Sequence, residues 1–567
     1  MGAADQGLQP DTARATAPAH HGESLHSAVA EVGPTPFDAE LTEAVRRARQ
    51  HSIGDVLRRT SRRTPGRLAI VSGARRLTYQ DFNSIVNRVA NSLAVRDLTK
   101  GDRLALLSRN SWQSAVLTFA TAKIGVVLVP INFMLGSSEI AYILSHCGAS
   151  GLVVEDALGD TGTAALAEAG IARGLRGWIA LSGAAPAAGF EDFGNWAEHS
   201  DDGEPAVSIN DDDPLRLMYT SGTESRPKGV LLGSRSLISQ YVSCIVDGGM
   251  TADDIEVHAL PMYHCAQLDC FFGPDVYLGA TSVILPDPQP ERLLHALESE
   301  HATKLFAPPT VWISLLRSPA FDSADLSSLR KGYYGAAAMP VEVLHEIRRR
   351  IPQIRLWNFY GQTEMAPVAT ILPPEEQVAH AGSAGRPVLN VETAVVDEFD
   401  RPVETGEVGE IVHRSPHAAL GYYLDPEKTA RAFRDGWFHS GDLGVFDEQG
   451  RLRIVDRKKD MIKTGGENVA SREVEEIIYR MGTVAEVAVF GIAHPRWIEA
   501  VVAVVVPRLG ATIDAEDVLT HCRSAMAGYK TPKYVVIADS LPKNPSGKIL
   551  KRTLRHEHAG LAPGGDP

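Results

Sequence analysis

The residues best equipped for chemistry stand together in Tyr219-Thr220-Ser221-Gly222-Thr223-Glu224-Ser225-Arg226-Pro227-Lys228-Gly229. The hydroxyls of Thr220, Ser221 and Thr223, the backbone N–H groups around Gly222 and the Lys228 ammonium can converge on phosphate oxygens. Glycine permits close backbone approach, and Ser/Thr add donors without bulk. The chemistry implied is the binding of a phosphate chain. It is not a P-loop, which needs Gly-x-x-x-x-Gly-Lys-Ser/Thr, because Lys228 is followed by Gly229 and Val230. Read alone, the segment fits a phosphate loop and a polar surface turn equally well.

The loop follows a short apolar run at residues 215–218, and its surroundings indicate the scaffold. From residue 53 onward, amphipathic helical patterns alternate with short apolar runs, which predicts helices layered on a largely parallel sheet. Thr78 is placed to cap a helix on which Ile85, Val89 and Leu93 share one face. Residues 126–129 read as a strand stopped by Pro130. Residues 283–285 and 303–307 read as strands flanking a helix over 291–300, one βαβ unit. After residue 456 a helix containing Val474, Ile477 and Ile478 precedes strands near 486–492 and 501–506, then another helix and strand. The expected fold class is α/β. A flexible tail (1–36) leads into a large N-terminal multi-layer body of βαβ sheets (37–456), and a small mobile C-terminal α+β domain (460–567) follows the charged junction Arg457-Lys458-Lys459-Asp460.

Composition narrows the function. With 44% hydrophobic and 22% charged residues the chain reads as an ordinary globular protein, neither disordered nor fibrous. A net charge of −14 argues against nucleic acid as a partner, so a bound polyanion needs a local basic or amide-rich pocket. Five scattered cysteines do not make a disulfide framework and fit a reducing cytoplasm. His264, Cys265 and Cys270 have no second cluster at metal-ligand spacing. The longest apolar run, residues 501–506, is far too short to span a membrane and reads as a buried strand. The composition leaves monomer and homodimer both open.

The order of Thr220-Ser221-Gly222-Thr223, Pro227-Lys228-Gly229, Asn358-Phe359-Tyr360-Gly361-Gln362-Thr363-Glu364, Gly436-Trp437-Phe438-His439-Ser440-Gly441-Asp442, Asp456-Arg457-Lys458-Lys459-Asp460, Gly465-Gly466-Glu467-Asn468 and Asn544-Pro545-Ser546-Gly547-Lys548 closely resembles the acyl-adenylate-forming superfamily. Within it, the acyl-CoA synthetase (acid–CoA ligase) branch is the best match. The resemblance implies that ATP, magnesium and a carboxylic acid meet to form an acyl-adenylate, and that coenzyme A then takes the acyl group. It assigns Ser221, Thr223 and Lys228 to the β- and γ-phosphates, Thr363 to the α-phosphate and Glu364 to Mg²⁺. Tyr360, with Gly361, packs on adenine, Asn358 meets its amine, and Asp442 with Arg457 takes the ribose. Lys548 serves adenylation, Lys459 is the hinge within 457–459, and Gly465 and Gly466 admit the pantetheine arm, with Lys463 a candidate for the thiol step.

For the acid, the resemblance points to Gly335, Ala336 and Ala337 as lining of the adenine and acyl sites, small residues that fit room for a bulky acid and tight packing of strand on helix equally well, and to His264, in Pro261-Met262-Tyr263-His264, as the group that closes the acid pocket. The aspartate with which amino-acid-activating relatives grip an ammonium is missing, and Asp269 is displaced from that position. A hydrophobic acid is therefore expected, either fatty or bulky and cyclic. Two alternatives stay open at this level: an adenylating enzyme that loads a carrier protein or releases acyl-AMP, and a silent nucleotide-binding protein. The phosphate loop also departs from the family pattern. Glu224 and Ser225 stand where a Thr and a Gly are usual, so Glu224 is expected to face away from the phosphates or to pair with a cation.

Overall fold

Two large sheets share one core in the computed structural model of the chain, which describes residues 44–45, 48–220, 226–335, 339–543 and 548–562. The tail 1–36, the loop residues Ser221, Gly222, Thr223, Glu224 and Ser225, the residues Ala336 and Ala337, and the run 544–547 lie outside the described residues. Everything below belongs to the unit Gln50–Pro567.

The first sheet has eight strands and is built around the parallel strands Arg103–Leu107, Val127–Pro130, Gly151–Glu155 and Leu175–Ile179. The hairpin Pro214–Thr220 and Lys228–Gly233 extends it. The second sheet has nine strands, with a parallel centre of Ile255–His258, Thr281–Ile284, Lys304–Phe306, Lys331–Gly335 and Arg355–Gly361. Ile70 and Ile284 of one sheet and Leu104, Leu128 and Val230 of the other join a single buried cluster with the helical residues Val116, Phe119, Tyr241 and Phe272. The helix Trp112–Ile124 is buried on nearly every face, so it is apolar all round rather than amphipathic. This is the expected layered α/β body.

Local expectations hold with adjustments. Thr78 caps the helix Tyr79–Ala94, its side chain accepting from the Asp81 N–H while Asp81 reaches back, a reciprocal capping box. Pro130 ends its strand from inside rather than stopping it, because the final position needs no further ladder donor. The strands Thr281–Ile284 and Lys304–Phe306 flank the helix Pro290–Ser299 as expected, yet Ile255–His258 lies between them and pairs with both.

A third sheet, antiparallel, comprises Glu392–Val396, Gly409–Arg414, Trp437–Phe446 and Leu452–Arg457 together with the short Phe433–Arg434. The last sheet contains Ile462–Thr464, Glu467–Val469, Val484–His494, Ile498–Pro507 and Tyr534–Ile537. Helices Ser471–Tyr479 and Ala515–Ala525 bury Val474, Ile478, Val518 and Cys522 on one face of it, and Leu554 of the helix Lys551–Glu557 packs on the other. This is the small α+β domain, and the run 501–506 is its buried central strand. Among the described residues, no helix is long and apolar enough to cross a membrane.

Candidate active site

Thr220 and Lys228 are the last cross-strand partners of the hairpin Pro214–Thr220 and Lys228–Gly233. Lys228 Nζ donates to Glu364 Oε1 at 2.8 Å and to Tyr422 Oη at 2.7 Å, while the Tyr422 hydroxyl donates to the same Glu364 oxygen at 2.7 Å. The Lys228 ammonium also lies 4.2 Å from the centre of the Tyr422 ring. Glu364 sits in the tight turn Thr363–Met365 that follows the strand Arg355–Gly361, and is buried. Burial pushes its carboxyl up, but the Lys228 charge and the Lys228 and Tyr422 hydrogen bonds outweigh that and hold it below the usual carboxylate range. Glu364 is therefore an ionised oxygen ligand at neutral pH. Thr220 Oγ1 is buried and takes no hydrogen bond among the described residues, so a donor hydroxyl stands ready beside Lys228.

A second group of the expected site residues is drawn from two sheets. Tyr334 pairs with Asn358 and Gly335 with Phe359 in the parallel ladder that carries the strand Arg355–Gly361. Asn358 Nδ2 donates to the Ser383 carbonyl at 2.8 Å, which leaves Oδ1 to accept from an amine. Tyr360 Oη donates to Asp442 Oδ2 at 2.8 Å, and Gln362 Nε2 reaches both Tyr360 Oη at 2.7 Å and Asp442 Oδ2 at 3.1 Å. Asp442 and Arg457 are register partners in the third sheet, with Arg457 Nε 3.5 Å from Asp442 Oδ1. Gly361 answers to packing: a Cβ there would lie 1.9 Å from the Pro367 carbonyl oxygen. Gly335 is similarly tight, with its Cβ position 2.4 Å from the Phe359 carbonyl oxygen, so its smallness serves close packing of neighbouring strands.

His264 caps the short helix Cys265–Gln267, its Nδ1 accepting from the Ala266 N–H at 3.1 Å. That bond fixes the neutral ring with its proton on Nε2. Burial first, and then the nearby Lys548, lower the His264 pKa to about 4. The Cys265 sulfur lies 3.3 Å from Thr363 Oγ1, so the His264 turn and the Thr363-Glu364 turn are joined. Lys548 is exposed, and it lies near enough to His264, Arg457, Asp442, Lys459 and Asp460 for their charges to act on one another. Enclosure, Arg457 and Lys459 lower its pKa, while Asp442 and Asp460 act in the opposite sense. Lys228, Thr363, Glu364, His264, Asn358, Tyr360, Asp442, Arg457, Lys459 and Lys548 thus belong to one connected neighbourhood.

Lys463, Gly465 and Gly466 stand apart. They lie on the exposed hairpin Ile462–Thr464 and Glu467–Val469, and no hydrogen bond or ion pair joins them to Lys228, Glu364 or Asp442 among the described residues. Gly465 and Gly466 hold φ at 61° and 89°, a turn that suits glycine. The Gly465 N–H donates to the Trp497 carbonyl at 2.8 Å. Arg496 and Lys533 lie 4.6 Å and 5.3 Å from the Trp497 ring centre. Ile498, next in the chain, holds φ at 71°, a strained value for a β-branched residue, in the turn that presents Trp497. Sequence reasoning missed Tyr422, Gln362 and Trp497. Gln362 stood inside a quoted motif, whereas Tyr422 has only the preceding Gly421 to mark it.

Two clusters of charge lie in the core. Asp269 is fully buried, its Oδ1 3.9 Å from Arg216 and accepting from Tyr241 Oη at 3.4 Å, while Oδ2 has no hydrogen-bond partner among the described residues. Glu256, His258 and Asp275 have the composition of a metal site, but the Lys304 ammonium lies among them, 2.7 Å from Glu256 Oε2 and bonded to Asp275.

The AMP-binding enzyme family matches residues 57–423, and the AMP-binding enzyme C-terminal domain matches residues 473–548. A feruloyl-CoA synthase of Amycolatopsis sp is 36% identical over 507 residues, spanning 89% of this chain and 99% of that protein. An indoleacetate–CoA ligase of Aromatoleum aromaticum is 34% identical over 500 residues, spanning 87% of this chain and 95% of that protein. Among solved structures, ATP-bound MatB from Rhodopseudomonas palustris superposes with a TM-score of 0.82 at 30% identity, covering 90% of this chain and 99% of that one. The matches over both parts of the chain, with these relatives, identify it as a member of the AMP-binding enzyme family, in its acid–CoA ligase branch.

Proposed function

We propose that this AMP-forming acid–CoA ligase acts on a hydrophobic carboxylic acid and works through the cleft between Lys228, Asp442 and Lys548. A carboxylate oxygen attacks the α-phosphorus of ATP, the bond to the bridging oxygen breaks, and pyrophosphate leaves. The thiol of coenzyme A, having lost its proton, then attacks the acyl carbon and AMP departs. The observation that carries the reading is the convergence of Lys228, Glu364 and Tyr422 with Asp442, Arg457 and Lys548.

Each side chain has a task that suits its surroundings. Lys228 and the Thr220 hydroxyl receive the outer phosphates, with Ser221, Gly222 and Thr223 of the same loop. Asn358 Oδ1 accepts from the adenine amine, Tyr360 and Gly361 form its platform, and Asp442 accepts from the ribose hydroxyls beside Arg457. Thr363 donates to the α-phosphate. Lys548 brings positive charge between two anions that otherwise repel as the new bond forms. His264, neutral with its proton on Nε2, donates toward the acid. Glu364 fits magnesium as one ionised hard-oxygen ligand, and Mg²⁺ commonly takes one or two carboxylates plus substrate phosphates. The ion would neutralise phosphate charge there.

For the second step, rotation at Lys459 would withdraw Lys548 and bring Gly465 and Gly466 to the acyl group, with Lys463 alongside. The Trp497 face with Arg496 and Lys533 offers stacking and positive charge to the nucleotide end of coenzyme A. A hydrophobic acid is supported by the burial of Asp269 beside Arg216 and by the names of the relatives, which act on feruloyl, indoleacetate and long-chain fatty acids. Pyrophosphate release across fatty, aryl and amino acids, with mass spectrometry of products with and without coenzyme A, tests it. Acyl-CoA from a hydrophobic acid is expected. Activity with amino acids alone, or acyl-AMP that persists with coenzyme A present, would overturn the reading.

A further inference from the structure

Lys548 precedes a stretch that its own domain holds: Ile549 bridges to Lys543 and packs on the domain core, and the Leu550 N–H donates to the Pro542 carbonyl at 2.8 Å. The helix that follows it, Lys551–Glu557, buries only Leu554. Polar contacts add to this: Lys543 with Glu486 at 2.6 Å, Lys551 with Glu475 at 2.8 Å and with Ser471 Oγ at 2.7 Å, and Arg555 with Asp460 at 2.7 Å. The first three tie the segment to its own domain. The fourth ties it to the connection between the third and last sheets. Asp460 is itself fixed there, its N–H donating to the Arg457 carbonyl at 2.9 Å, and Arg457 is the ladder partner of Asp442.

We propose that the Asp460–Arg555 ion pair is a strut that sets the reach of Lys548 into the nucleotide cleft, which makes Asp460 and Arg555 positioning residues for adenylation. A continuous path runs from the ribose carboxylate Asp442 through Arg457 and the turn to Asp460, across to Arg555, and back along the helix to Lys548. Lys459, Lys551, Arg555 and Lys548 all face Asp460. Lys551 has Glu475 as its own partner, so the Asp460 carboxylate is the counter-charge of Arg555 and Lys459, and without it their repulsion of Lys548 drives its segment outward. The pair lies wholly on the small-domain side of Lys459, so it travels with the domain and has no part in presenting the thiol.

The inference rests on the reading of Lys548 as the adenylation lysine. The test separates the half-reactions in the full-length enzyme: pyrophosphate release from ATP and acid, and acyl-CoA formation from supplied acyl-adenylate. Asp460→Asn and Arg555→Gln are expected to slow adenylation about 10- to 100-fold, as displacement of a catalytic group does, and to leave thioester formation within about twofold. Arg555→Lys, which keeps the charge, should recover most of the loss. Equal loss in both half-reactions would make the pair merely structural and overturn the proposal, as would unchanged adenylation in variants with native thermal melts. Lys548→Ala separates the two levels. If it abolishes adenylation while the strut variants do not, the strut fails alone; if it leaves adenylation intact, the reading beneath it fails too.

Discussion

Tyr422→Phe removes one oxygen and keeps the ring, so it isolates the hydroxyl shared by Lys228 and Glu364. That hydroxyl accepts at 2.7 Å from the ammonium and donates at 2.7 Å to the carboxylate. A hydrogen bond to a charged partner contributes about 1.5–3 kcal/mol. The variant keeps the direct Lys228–Glu364 contact at 2.8 Å and the ammonium over the ring, so the lower end applies. Buried Glu364 has little access to replacement water, so the loss is not erased. The expected cost is about 1.5–2 kcal/mol, or about 10- to 30-fold in kcat/KM for ATP. Initial rates of pyrophosphate release at varied ATP and magnesium measure it, with KM for the acid as the internal control. A kcat/KM for ATP within about twofold of the parent, in a variant with an unchanged melting temperature, would refute the view that Tyr422 organises the phosphate site.

In the proposed mechanism adenylation uses the Lys548 ammonium, and its surroundings favour the neutral amine. Activity should therefore be present at lower pH and fall as pH rises through the Lys548 pKa, with the kcat/KM limb between about 7 and the ordinary value of 10.5 because solvent reaches the side chain. Bound phosphates favour the ammonium, so the kcat limb should lie higher, and a kcat/KM profile with no fall by about pH 11 would contradict the assignment. His264 is already neutral above about pH 4, so no acidic limb from it is expected between pH 5 and 7, and His264→Asn should leave that region unchanged. Arg216→Ala strands the Asp269 carboxylate in the core, where unpaired burial costs about 3–5 kcal/mol, and a denaturant midpoint equal to the parent would refute the pairing. Trp497→Ala should raise KM for coenzyme A while leaving pyrophosphate release from ATP and acid untouched; a parallel loss in both would place the residue elsewhere in the mechanism.

Where side-chain chemistry is local, the sequence was readable. Asn358, Tyr360, Thr363 and Glu364 fall on a strand and the turn that ends it, so order along the chain already implied proximity. Thr78 was legible for the same reason, since a cap is an interaction within one turn. Long-range partnership was not legible: Tyr422 meets Glu364 across 58 positions and Arg555 meets Asp460 across 95. The third sheet escaped notice because strands such as Glu392–Val396 are short and half-exposed, with only weak alternation. The insertion of Ile255–His258 between two strands that a single helix connects is likewise a matter of spatial order, which a βαβ pattern leaves open. The close approach of Gly335 to the Phe359 carbonyl is also a cross-strand matter that order along the chain does not reveal.

The most direct test of the account is single-turnover adenylation by Lys548→Ala, followed as pyrophosphate release from ATP and a hydrophobic acid. A fall of about 100-fold or more, with acyl-CoA still formed from supplied acyl-adenylate, is the expected result for a lysine that stabilises charge only as the first bond forms. Pyrophosphate release at the parental rate would contradict the assignment of this cleft to the reaction.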